Sequence, residues 1–147
     1  MKKSYLKKKG KNPKRKLQEK IDRDYQDFFR SLCAEGNIKC EISGAEMELC
    51  HHFIPKSQST NLRYDIENLV PVSGAVHSKF QFRPDIPNLI IIGRRGLKWA
   101  ESIRQKADIP AQNTITWLTE QEVKLEYLKI RKEDLIKNYK KLGYFKL

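Results

Sequence analysis

The chain has 147 residues, 39% hydrophobic and 33% charged, with a formal net charge of +12 at pH 7. That length suits one domain with a real core, and no apolar run approaches the ~20 residues of a membrane span. The longest, residues 89–92, is stopped by Gly93 and two arginines. No apolar stretch follows the basic N-terminus, so it does not read as a secretory signal. Three cysteines, Cys33, Cys40 and Cys50, have no paired spacing. They fit a reducing, cytoplasmic setting better than a disulfide framework.

The charge is unevenly placed. Residues 1–16 carry eight lysines, one arginine and no acid, while the remaining 21 basic and 18 acidic residues nearly balance. A basic, disordered arm on a nearly neutral body suits a polyanion, because each neutralised phosphate releases condensed counterions. A solubilising tail has the same composition. The rest, residues 17–147, reads as a single domain.

After the arm, Leu17, Ile21, Tyr25, Phe28 and Leu32 recur at helical steps, which predicts a core-packing helix ending near Gly36. Ile38, Cys40 and Ile42 alternate with Lys39 and Glu41, which predicts a strand, with Ser43 and Gly44 as a turn. Met47 and Leu49 alternate with Glu46 and Glu48 and lead into His51 and His52. Residues 53–67 read as a loop, and residues 69–72 as a short strand that Pro71 confines to an edge. A helical stretch then carries His77 and is closed by Pro84. Residues 84–96 are ambiguous, broken by Pro84, Pro87, Gly93 and Gly96, and within them residues 89–92 fit either a buried strand or a helical turn. Trp99, Ala100, Ile103 and Ala107 predict an amphipathic helix. Thr119 to Glu122 has the form of a capping box and predicts one long helix to about residue 142, with Gly143 as its C-cap.

All three histidines of the chain lie between residues 50 and 81. Phosphodiester hydrolysis needs a base near neutral pH, charge on the phosphoryl oxygens and a partner for the departing 3′ oxygen. An imidazole suits the first task, and a divalent cation supplies the other two. Neighbouring strand residues point to opposite sides, so His51 and His52 divide the labour, one on a metal and one facing water. His77, on the following helix, can reach the same metal, and Gln81 lies one turn later on its face. Asn68 has both donors and an acceptor and can tie the loop to the backbone near His52.

The order His51-His52, Asn68, His77, with Ile54-Pro55 and Asn68-Leu69, resembles the HNH endonuclease motif. The wording around residues 62–69 also resembles phage recombination nucleases of the NinG (Rap) type. The HNH resemblance covers about residues 38–83. It implies an α+β protein whose ββα-metal unit is flanked by N-terminal and C-terminal helices, the latter about residues 97–142. It further implies His51 and His77 as metal ligands, His52 as general base and Asn68 as the loop-fixing residue. One divalent ion is implied, Mg²⁺ or Mn²⁺, with products ending in 5′-phosphate and 3′-hydroxyl.

Two departures from the pattern bear on the metals. Many relatives hold a structural zinc on two Cys-x2-Cys pairs; here the positions read Cys40 and Ser43, then Ser73 and Val76, so no structural zinc is expected. Many relatives have aspartate where His51 stands, and an imidazole there keeps Zn²⁺ and Ni²⁺ open as alternatives. DNA is the expected partner, with Lys56, Arg63, Lys79 and Arg83 placed to grip phosphates. A branched or recombination-intermediate substrate follows from the NinG-like wording. A nicking or homing enzyme, and a non-catalytic module with structural histidines, stand as alternatives. A zinc finger on Cys40, Cys50, His51 and His77 matches no usual ligand spacing.

Overall fold

Asn12 opens the first helix. Its Oδ1 accepts from the Arg15 N–H at 2.8 Å, and Pro13 takes the first helical position, where its missing N–H leaves no bond unmade. Helix α1 then runs Pro13–Gly36. The computed structural model describes residues 12–142. The arm expected over residues 1–16 is therefore redrawn: residues 1–11 lie outside the described residues, and Lys14, Arg15 and Lys16 belong to the first turn of α1. The predicted stripe is its buried face, with Ile21, Tyr25, Phe28 and Leu32 inside. Asn37 ends the helix in a left-handed conformation (φ 53°).

Residues 38–42 do not form the expected strand. Cys40 N–H donates to the Ala45 carbonyl at 2.7 Å and Gly44 N–H to the Cys40 carbonyl at 2.9 Å, which closes a turn. The alternation misled because Glu41 does not face water. It is fully buried, and Arg95 meets both its oxygens at 2.6 Å.

Strands β1 (Leu49–His52) and β2 (Leu69–Val72) form a two-stranded antiparallel sheet, with Cys50 opposite Pro71, His51 opposite Val70 and His52 opposite Leu69. Pro71 sits in it without loss. Its carbonyl points outward to accept from Glu41 N–H at 2.9 Å, so its missing donor also lies on the outer edge.

Helices α2 (Gly74–Lys79), α3 (Asp85–Arg95) and α4 (Leu97–Ala107) follow. Residues 89–92, ambiguous in the sequence, are helical in α3, and α4 buries Ala100 and Ile103 as predicted. The single long C-terminal helix is instead two: α5 (Ile115–Ile130) and α6 (Lys132–Leu142). Its predicted start is also corrected. Thr114 Oγ1 caps α5 by accepting from Trp117 N–H at 3.1 Å, and Thr119 lies inside the helix with its hydroxyl on the Ile115 carbonyl at 2.9 Å. After the break at Arg131, α6 runs on along α1, with Lys132 Nζ on Ser31 Oγ at 2.8 Å and on Glu35 at 3.0 Å, and it sets the Tyr139 hydroxyl on Glu41. There α6 comes close to α1, where a Cβ on Gly36 would stand 2.9 Å from Ile136 Cγ2. The expected cap at Gly143 lies outside the described residues.

The chain is thus a mixed helical and antiparallel-sheet, α+β protein. Its sheet separates two apolar clusters. Cys50 and Leu69 pack with Phe29 of α1, Leu118 of α5 and Tyr64 of the loop between the strands. Val70 and Val72 pack with Val76, Ile91 and Ile103 on the other side. Among the described residues, no helix is long and apolar enough to cross a membrane.

Candidate active site

Strand β1 ends on the two adjacent histidines, and the pleat sends them to opposite faces. His51 opens onto a cleft of about 140 Å³ that it lines with His77, Phe80 and Gln81. His52 borders a smaller recess on the α1 side, with Asp22, Lys56 and Arg63. The structure therefore brings His51, His77 and Gln81 together, and sets His52 beside them across the strand.

His77 is carried by α2, which starts on Ser73: the serine Oγ accepts from Val76 N–H at 3.2 Å, and Val76 is buried. That packing leaves His77 and Gln81 exposed at the cleft. On the facing side His51 Nε2 lies 3.1 Å from Asn88 Oδ1 of α3. Asn88 Nδ2 donates to the Phe53 carbonyl at 3.3 Å, which fixes the amide with its oxygen toward the ring. That oxygen only accepts, so the His51 proton sits on Nε2 and Nδ1 keeps its lone pair. A ring held through one nitrogen with the other bare is the form in which histidine binds metals. Burial holds the His51 pKa below its ordinary value, and a charge on nearby His77 pushes the same way against the Asn88 bond.

Two imidazoles and the Gln81 amide oxygen make a partial donor set that suits a divalent ion and leaves positions open for water or substrate. Among the described residues no group of three His, Cys, Asp or Glu side chains is arranged to hold a metal; beside the two histidines, the cleft is lined by one further side chain with a donor oxygen, Gln81. The zinc-finger alternative fails on geometry, because Cys50 packs in the α1 cluster while His51 and His77 share the opposite cleft. All three cysteines are free and buried.

His52 is held in the same manner as His51 by a different acceptor. Its Nε2 lies 3.1 Å from the Arg63 carbonyl. A carbonyl cannot donate, so Nε2 carries the proton and Nδ1 can accept one. The ring is half-buried. Burial is the main cause that lowers its pKa to about 4, helped by the charges of Lys56 and Arg63. It is neutral at pH 7.

Asn68 is fully buried at the start of β2. Its Oδ1 accepts from Ile54 N–H at 2.8 Å, and its Nδ2 donates to the Ile54 carbonyl at 3.0 Å and to the Leu62 carbonyl at 3.4 Å. Both ends of the loop after His52 are thereby tied to one side chain. The four basic residues predicted to grip phosphate are placed differently from one another. Lys56 is exposed and lies beside His52; Lys79 and Arg83 are exposed on α2 and the turn after it. Arg83 is shared with Asp85 at 3.3 Å. Arg63 faces inward and forms a bidentate pair with Asp22 at 2.9 and 2.6 Å. Its role is internal.

Two residues escaped the sequence analysis. Asn88 left a faint signal as a lone amide in an apolar run. Asp22 left none, being one acid among several on the polar side of α1. No family model, curated protein or solved structure matches the chain.

Proposed function

We propose that the chain is a metal-dependent DNA endonuclease of the HNH type, with β1, β2 and α2 as its ββα-metal unit. The observation that carries this reading is the shared cleft of His51 and His77 beside a third histidine, His52, whose Nδ1 is ready to accept a proton. His51, His77 and Gln81 would hold one divalent ion, Mg²⁺ or Mn²⁺ in the first instance. When bound, it supplies positive charge to the phosphoryl oxygens and to the departing 3′ oxygen.

The protein's own groups do the rest. His52 takes a proton from the attacking water on Nδ1, while Nε2–H stays on the Arg63 carbonyl and steadies the imidazolium that forms. A ring with a pKa of about 4 is a weak base in the free protein. A bound phosphodiester, being an anion, favours the charged form and raises it toward the working pH. Asn68 keeps the loop from drifting, and with it the carbonyl that holds the ring. Lys56 reaches the phosphate from the His52 side, and Lys79 and Arg83 from the α2 side. The products carry 5′-phosphate and 3′-hydroxyl ends, and branched or recombination-intermediate DNA is the proposed substrate.

The test is a cleavage panel with the full chain on linear, nicked and four-way DNA, with Mg²⁺, Mn²⁺, Zn²⁺ or EDTA. We expect metal-dependent cutting that EDTA abolishes, fastest on the four-way substrate. Equal rates on linear duplex would replace the branched substrate with a nicking or homing role. No cutting under any metal, with DNA still bound, would leave only a binding module.

A further inference from the structure

The carbonyl that holds His52 belongs to the peptide unit between Arg63 and Tyr64, and the side chains on both sides of that unit end on a single carboxylate of α1. Arg63 meets Asp22 through Nε at 2.9 Å and Nη2 at 2.6 Å, and the Tyr64 hydroxyl donates to Asp22 Oδ1 at 2.6 Å. The ion pair is shielded, its side chains only 15% and 23% exposed. Burial disfavours the Asp22 charge, but the bonds from Arg63 and Tyr64 outweigh it and hold the carboxyl below its ordinary range. The next carbonyl, that of Tyr64, accepts from Lys124 Nζ of α5 at 2.7 Å, and the Tyr64 ring stacks on Tyr25 of α1 at 4.8 Å. Turning the Arg63 carbonyl away from His52 would break bonds on both sides of the peptide at once.

We propose that Asp22 is a positioning residue for His52: by clamping Arg63 and Tyr64 it fixes the peptide whose carbonyl sets the ring's orientation and tautomer. A helix outside the β1–β2–α2 unit thereby takes part in the chemistry, an inference that rests on the nuclease reading of His52. Asp22 lies on the α1 side of the sheet, away from the His51 and His77 cleft. Without its charge the guanidinium fork loses its bidentate partner, the peptide can rotate, and the ring is released to place its proton on Nδ1, where it cannot act as a base.

The experiment compares the full chain with Asp22→Asn, which keeps the shape and removes the charge. Ring ¹⁵N shifts of His52 read the tautomer, single-turnover cleavage with Mg²⁺ reads the rate, and Mn²⁺ and DNA affinities are measured in parallel. The expected result is a single Nε2–H form in the wild type and a mixture in the variant, with a rate loss of about 10–100-fold, the usual cost of losing an orienting partner. Metal affinity should stay within about twofold, because Asp22 lies across the sheet from His51 and His77. Arg63→Lys, which keeps the charge and loses the fork, should move the tautomer the same way and serves if Asp22→Asn does not fold. An unchanged tautomer and rate in the variant would overturn the proposal. So would parallel losses of rate and metal affinity, which a general loosening of the fold produces. If the wild type cuts no DNA, the nuclease reading falls, and the tautomer comparison still decides whether Asp22 positions the ring.

Discussion

Asn68 spends its whole side chain on the loop that follows His52, with bonds to both backbone groups of Ile54 and to the Leu62 carbonyl. Asn68→Ala would leave those buried groups unmatched at roughly 1–3 kcal/mol each. Partial rearrangement gives an expected loss of about 2–4 kcal/mol, read from the urea midpoint. A loss under about 0.5 kcal/mol would mean that the loop holds itself. His52 adds a pH dependence. Its pKa is about 4 in the folded chain against ~6.5 in the unfolded chain, so the folded state takes up the proton less readily. Stability is therefore complete above about pH 6.5 and falls as the pH drops from there toward 4. Asp22, also lowered, removes its share further down, below its ordinary value near 3.8. Urea midpoints from about pH 7 to 4.5 should decline, and His52→Gln should flatten that decline. At this scale the sequence pointed to residues that the fold sets near one another, His51 and His77 at one cleft and His52 next to them, and to the loop tie made by Asn68. It was silent where a partner comes from far along the chain. Nothing near Arg63 says that Asp22 will claim it, which is why a residue expected at phosphate turned out to be internal.

Among the elements, α3 does more for the site than its sequence suggested. It supplies Asn88 to His51 near its start and Arg95 to Glu41 at its end. Arg95 also donates to the Glu67 and Leu69 carbonyls at 3.2 and 3.3 Å and stacks over Trp99 at 4.7 Å. One guanidinium thus joins the turn before β1, the start of β2, and α4. Its side chain is 2% exposed and that of Glu41 is 0%. Removing one member of such a pair costs far more than the pair itself contributes, because a buried charge loses its counter-ion. Glu41→Gln should therefore destabilise by about 3–5 kcal/mol in chemical denaturation. Glu41→Gln together with Arg95→Met should recover much of that loss. A single variant as stable as the wild type would show that the carboxylate is dispensable. The same pair explains the failed strand at residues 38–42. Periodicity assigns an acid to water, and only the tertiary partner 54 positions away overrides it. Helices α1 and α4 were legible because their apolar stripes face a core in the ordinary way. The division of the last helix was not, since no proline or glycine marks Arg131.

For the whole molecule, the sheet acts as a partition. One side buries α1 and α5, the other α2, α3 and α4. The adjacent histidines of β1 inherit that partition, so one faces the proposed metal cleft and its neighbour faces the α1 side. The α+β class was legible in the sequence, because α1, α4 and the two strands carry local apolar patterns that the fold keeps. The arrangement around the sheet was not, because it depends on long-range packing. Charge belongs to this scale as well. Residues 1–11 carry six lysines, and each phosphate neutralised contributes ~0.9 to the slope of log affinity against log salt. Deleting residues 1–11 should weaken DNA binding and lower that slope by up to about 5, measured by fluorescence anisotropy over a salt series. An unchanged slope would mean that the arm does not touch DNA.

The central claim is that His52 is a base and not a structural ring. Single-turnover cleavage by His52→Ala, with enzyme in excess over DNA and saturating Mg²⁺, tests it most directly when DNA and Mn²⁺ affinities are measured on the same preparation. The account predicts a rate loss of at least about 10²-fold, the usual worth of a positioned base, with both affinities retained. Cleavage at the wild-type rate, or losses of both affinities that match the loss of rate, would contradict it.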